Sequence, residues 1–141
     1  MLLSGIPATG KSSFARYLAR ERGFVHYDME RATTWPRPQL HATWDRSRAE
    51  FVAALRECDP RVVLDWGFPS ACLPWVRELQ AEGLQLVWFT GDVGAARAAF
   101  LRRGIGTLHH FDAQVEAMSQ AGFPARLECT VVKTLGADGA F

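Results

Sequence analysis

The chain has 141 residues, 48% of them hydrophobic, with 16 basic against 15 acidic side chains and a formal net charge of +1. That length suits one globular domain spanning 1–141, and the charge balance leaves no overall field to draw the chain onto a long nucleic acid or an acidic membrane, although a local basic groove stays open. Cys58, Cys72 and Cys129 are widely spaced and form no C-x-x-C pair; without a signal segment or an apolar run of about eighteen residues, they predict a reduced, cytoplasmic protein with no membrane span.

Met1 to Leu3 is a short apolar run that predicts a first strand. Gly5 to Ser12 follows it and reads G-x-x-x-x-G-K-S. An amphipathic run then predicts a helix over Lys11–Glu21, with Phe14, Tyr17 and Leu18 inward and Gly23 as its stop. The loop therefore lies in the strand–loop–helix setting that a phosphate-binding loop requires. Gly5 and Gly10 let the backbone turn tightly and approach an anion without a Cβ in the way. Pro7, Ala8, Thr9, Gly10, Lys11, Ser12 and Ser13 line the nucleotide site with Gly5; apart from Pro7, which has no N–H, they present backbone N–H groups and a helix N-terminus to phosphate oxygens. Lys11 can reach the outer phosphates, and the Ser12 hydroxyl can ligate Mg²⁺.

Phe24–Tyr27 predicts the second strand, ending at Asp28. Two prolines, Pro36 and Pro38, argue against helix in the Met29–Leu40 stretch. A helix fits Ala42–Cys58, with Trp44, Phe51, Val52 and Leu55 on its apolar side. Arg61–Leu64 predicts the third strand, ending at Asp65. Gly67, Phe68 and Pro69 form a loop before a helix that runs to Glu82, with Pro74 in its first turn. Leu84–Phe89 predicts a fourth strand and Asp92–Arg103 a helix that Gly104-Ile105-Gly106 breaks. A further helix spans Phe111–Gln120, and Leu127–Lys133 predicts the last strand before a loose Gly-rich tail.

Continuous apolar strands alternating with helices predict an α/β fold, a parallel sheet covered on both faces. All strands of such a sheet end at one edge, and open α/β sheets bind ligands there. The loop after the first strand, Asp28 and Asp65 should therefore meet. Asp65 can support the metal directly or through water, or simply cap its strand. Asp28 can orient an acceptor hydroxyl and take its proton, and Arg31 can hold the acceptor or the group in transfer; the plain alternative is a turn acid and a surface arginine. Arg97, Arg102 and Arg103 can close over phosphates as a lid hinged at Gly104 and Gly106, or form a solvated basic face. Helical spacing does not choose among the three. Trp35 and its neighbours can grip a substrate ring, and Trp44 can equally be core. His109-His110 lacks a third ligand at helical spacing and reads as polar loop.

These residues resemble the small P-loop kinases, a group that includes the nucleoside monophosphate, gluconate and shikimate kinases, chloramphenicol phosphotransferase, zeta toxins and polynucleotide kinase domains. The resemblance covers nearly the whole chain in layout, and its specific motif is the phosphate loop. It implies a three-layer P-loop fold with a five-stranded parallel sheet in the order 2-3-1-4-5. Asp28 matches the family's acceptor acid, and Asp28 with Arg31 resembles the D-x-x-R acceptor motif of the polynucleotide kinase and zeta-toxin branch. The lid arginines correspond loosely to Arg97–Arg103, and the adenine site to Thr134–Gly136. No helix after the last strand is legible.

The expectation is an ATP- and Mg²⁺-dependent kinase acting on a small hydroxyl-bearing substrate. Lys11, Asp28 and Arg103 are its candidate catalytic residues, Ser12 and Asp65 its metal ligands, and Asp28, Arg31 and Trp35 its acceptor contacts. Two alternatives stand beside it: a polynucleotide or nucleotide kinase, and a nucleotide-binding switch or weak ATPase acting on a protein partner.

Overall fold

The computed structural model describes residues 1–104 and 106–135. Ile105, and Gly136 within the expected adenine loop, fall outside them, as does the tail.

Five strands, β1 (Leu2–Gly5), β2 (Val25–Asp28), β3 (Val62–Asp65), β4 (Leu86–Gly91) and β5 (Thr130–Leu135), form one sheet in the order β2-β3-β1-β4-β5. Every pairing is parallel, so each connection must cross over the sheet through a helix. The expected order is the observed one. β1 is buried along its whole length, as the central strand of a doubly covered sheet must be.

Alternation along the strands divides the core. Leu2, Tyr27, Leu64 and Trp88 face α3 (Arg48–Cys58) and α4 (Leu73–Ala81), where Phe51, Val52, Leu55, Val76 and Leu79 meet them. Leu3, Val63 and Phe89 face α1 (Lys11–Arg22) through Ala15 and Leu18. A smaller cluster joins α5 (Val93–Arg103) to α6 (Leu108–Gln120) through Ala96 and Phe111.

Several local expectations shift. In α1, Ala15 and Leu18 are buried, whereas Phe14 and Tyr17 are 37% and 39% exposed. The small Ala15 lets the helix lie close to the sheet, and the rings are displaced to its rim, where Phe14 touches Phe89. The single helix expected over Ala42–Cys58 is two, α2 (Leu40–Arg46) and α3. Ser47 is extended between them, and its side chain accepts the Glu50 N–H as the α3 cap. β4 and β5 begin later than their apolar runs and continue further, β4 to Gly91. The segment before α4 is a short 3₁₀ turn, Ser70–Cys72, with Pro74 tolerated at the helix start.

Among the described residues, no helix is long and apolar enough to cross a membrane.

Candidate active site

The loop between β1 and α1 takes the backbone angles that only certain residues allow. Gly5 has φ +128°, and a Cβ there would lie 2.0 Å from the Phe89 carbonyl oxygen. Gly10, at φ 92°, caps α1. Ala8 occupies the left-handed region at φ 61°, which costs an L-residue roughly 1–2 kcal/mol. Thr9 is buried and clamps the loop from both sides: its hydroxyl donates to Ile6 O at 2.7 Å, and its carbonyl accepts the Thr134 hydroxyl of β5 at 2.7 Å. Pro7 is partly buried and Ser13 exposed at the first turn of α1.

Lys11 folds back over this loop. Its Nζ donates to the carbonyls of Gly5 at 3.3 Å and Ile6 at 3.1 Å. Burial holds its ammonium below the ordinary lysine pKa, Asp65 and Glu30 pull it back up, and Arg103 pushes it down.

Strand register brings the two expected acids together. Asp28 and Asp65 are direct partners across β2 and β3, so both side chains point to the face that carries α1. Asp65 is 5% exposed. Its burial alone would raise its pKa, but His26, the Ser12 hydroxyl and the Lys11 charge outweigh that and hold it below the usual carboxylate value. His26 Nε2 faces Asp65 Oδ2 at 3.6 Å, beyond hydrogen-bond reach. Ser12 and Asp65 together can hold a hard divalent cation that keeps most of its waters.

Asp28 ends β2 with its side chain 28% exposed. Its Oδ1 accepts the Glu30 N–H at 3.0 Å, and its Oδ2 lies 3.9 Å from Arg31 Nε. One face of the carboxylate is thus fixed and the other reaches solvent beside a cation.

Trp35 corrects the expectation of an acceptor contact. It is 4% exposed, packed against Tyr27, Phe51 and His41. Its indole N–H donates to the Asp28 carbonyl at 2.7 Å. An indole has much apolar surface and one donor, and a core pocket beside a strand end satisfies both. Trp35 therefore positions the end of β2 from behind. Trp44 packs edge-on against Phe51 and Trp66, so it belongs with the core.

The three arginines of α5 are distinguished by their partners. Arg97 is bound in bidentate fashion to Asp112 of α6, at 2.9 and 3.1 Å. Arg102 is exposed. Arg103, also exposed, is the one whose charge reaches Lys11.

Sequence reasoning missed two members of the site. His26 is two residues before Asp28 on β2, so strand alternation alone would place both on one face. Glu30 follows the strand in a turn, where no periodicity speaks. Its Oε1 accepts the Gly67 N–H at 3.1 Å, linking the loops after β2 and β3. The Gly67 carbonyl in turn lies 3.5 Å from Gln114 Nε2 of α6. A Cβ at Gly67 would lie 2.8 Å from Glu30 Oε1, so a side chain there would displace the Glu30 carboxylate.

The fold has counterparts among solved structures. A gluconokinase from Sinorhizobium meliloti superposes with a TM-score of 0.57, at 18% identity over 94% of this chain and 81% of that one. A shikimate kinase from Bacteroides thetaiotaomicron gives 0.59, at 14% identity over 94% of this chain and 84% of that one. The chain has the small P-loop kinase fold. No protein-family model matches it in sequence, and no curated protein does. The likeness is thus one of architecture: in this fold the loop from Gly5 to Ser12 lies at the carboxyl edge of the sheet, between the ends of β3 and β4, its two neighbours. The cavities found elsewhere, one of about 160 Å³ lined by Met1, Asp59 and Gly83, lie at the opposite edge.

Proposed function

We propose that residues 1–141 form one phosphotransferase domain that moves the γ-phosphoryl group of ATP, with Mg²⁺, to the hydroxyl of a small molecule. The observation that carries this reading is the meeting of Lys11, Asp65 and Asp28 at one sheet edge, with Asp28 and Asp65 in direct register.

The residues fit such a ligand. Gly5 lets the loop start hard against the β4 backbone at Phe89, and the Lys11 ammonium rests on two neutral carbonyls that a phosphate can replace. The Ser12 hydroxyl beside an ionised Asp65 supplies two oxygen donors for Mg²⁺. When bound, Mg·ATP supplies the phosphoryl group and the cation that neutralises its spreading charge. Lys11 and the loop amides would hold the outer phosphates. Asp28, braced by the Glu30 N–H, would orient the acceptor hydroxyl and receive its proton. Arg103, near Lys11, is the lid cation of choice.

A transfer assay with γ-labelled ATP over sugars, nucleosides, antibiotics and 5′-hydroxyl oligonucleotides tests the reading. Lys11→Ala should lose both nucleotide binding and transfer. Asp28→Asn should keep ATP binding and lose transfer by roughly 10²–10⁴-fold. Release of free phosphate with no labelled acceptor, indifferent to Asp28→Asn, would instead favour a switch or weak ATPase.

A further inference from the structure

The charges around the acceptor side are unevenly committed. Three carboxylates, Asp28, Glu30 and Asp65, meet at the ends of β2 and β3. Glu30 is held there by a specific bond from its carboxylate to the Gly67 N–H, while the residue as a whole stays open to solvent. Burial pushes its pKa up, the Gly67 N–H and the Lys11 charge pull against that, and Asp28 and Asp65 add to the rise.

The cations of the stretch after β2 are already engaged. The chain has two lysines, Lys11 and Lys133, and Lys11 belongs to the phosphate loop. Between Asp28 and Arg48, a stretch described throughout, every arginine has a partner. Arg31 lies beside Asp28 at 3.9 Å, and Arg37 is drawn toward the opposite edge of the sheet by Asp59, at 3.0 and 3.1 Å. Arg46 pairs with Glu50 at 2.6 Å. Arg48 is 6% exposed, its guanidinium 4.5 and 4.6 Å from the ring centres of Trp44 and Trp75, with Glu78 at 3.8 Å. An anionic acceptor would enter beside three carboxylates and a bound triphosphate, and the arginines between Asp28 and Arg48 could answer its charge only by leaving a partner. Like charges so placed repel strongly where water is excluded.

We infer that Glu30 is a specificity-determining residue of the acceptor side, and that the acceptor is a hydroxyl compound without negative charge, neutral or amine-bearing. This rests on the phosphotransferase reading. Glu30 selects in two ways: its charge rejects acids, and its bond to Gly67 fixes the loop against which an uncharged or cationic acceptor would lie.

The test uses γ-labelled ATP with a small-molecule extract split by ion exchange into anionic, neutral and cationic pools. It then uses matched pairs that differ by one carboxylate: glucitol and gluconate, galactose and galacturonate, methyl shikimate and shikimate, with glucosamine as an amine. Label should pass from ATP to the neutral or cationic pool, and kcat/KM should favour the uncharged member of a pair by about tenfold or more. Glu30→Gln keeps an oxygen that accepts the Gly67 N–H but loses the charge, so it should narrow that ratio by about tenfold. A purely structural role would leave the ratio unmoved. Label on the anionic pool alone, or equal use of both members of a pair by the unaltered protein, overturns the inference while the phosphotransferase reading stands. An unchanged ratio in Glu30→Gln overturns the role of Glu30. Absence of label in every pool, with ATP bound, removes the phosphotransferase reading and this inference with it.

Discussion

At Asp65 two opposed effects act on one carboxylate. Burial disfavours its charge, and His26, Ser12 and Lys11 favour it, with a net pKa below the ordinary 3.8. A carboxylate depressed in the folded state contributes stability that is fully present above its unfolded pKa and is lost as pH falls through the folded one. Asp59 follows the same sign, held low chiefly by Arg37 and also by Tyr27 against the cost of burial. The melting temperature of the unaltered protein should therefore fall as pH drops below about 4. Asp65→Asn should show a shallower fall over that window, with the Asp59 part retained. Parallel slopes for the two proteins would show that Asp65 is not held ionised by its neighbours. The same residue illustrates what single side chains reveal in sequence. Asp28 and Asp65 were legible because each ends an apolar strand. His26 was legible in principle by alternation, and Glu30 was not, because its role depends on a loop 37 residues away.

Whole elements were read well where one signal dominates. Continuous apolar runs mark β1 to β4, and glycines at the helix ends mark where α1 and α5 stop. The reading failed where a local signal competes with a global pattern. Trp44, Phe51, Val52 and Leu55 share helical spacing across Ser47, and that spacing hid the break between α2 and α3. The sequence did carry the break: Ser47-Arg48-Ala49-Glu50 has the S-x-x-E form of a capping box. Ser47 stands at φ −162°, ψ 154° and accepts the Glu50 N–H at 3.0 Å. Just past the break, Arg48 packs over the rings of Trp44 and Trp75. Ser47→Ala should cost about 1 kcal/mol of stability, a fall of roughly 3–6 °C in melting temperature for a domain of this size. Ser47→Gly should cost only a few tenths of that unit. Equal losses in both variants would assign the effect to backbone freedom instead of the cap. The arginines of α5 mark a second limit. Periodicity can place Arg97, Arg102 and Arg103 around a helix, but only the packing of α5 on α6 assigns Arg97 to Asp112.

At the scale of the molecule, the order β2-β3-β1-β4-β5 places the phosphate loop at the central strand, with acids from β2 and β3 on one side and β5 on the other. Thr134 ties β5 to the loop through Thr9, and Glu30 ties β2 to the loop after β3, where Gln114 of α6 lies close to the same glycine. A ligand that seats its phosphates in the loop therefore engages segments that come from most of the chain, and its binding energy should appear as stability of the whole. Mg·ATP at a hundredfold excess over its Kd should add about 2.7 kcal/mol, which is roughly 8–16 °C in melting temperature at this size. Inorganic tripolyphosphate with Mg²⁺ separates the contributions. If the loop carries most of the binding, tripolyphosphate should reproduce most of the shift at saturating concentration, and adenosine alone should give little. Lys11→Ala should abolish both shifts, and Asp28→Asn should keep both, because the proposed role of Asp28 is toward the acceptor and not the phosphates. A shift with adenosine that survives Lys11→Ala would mean that the nucleotide binds elsewhere, and the site at the end of β1 would lose its ligand.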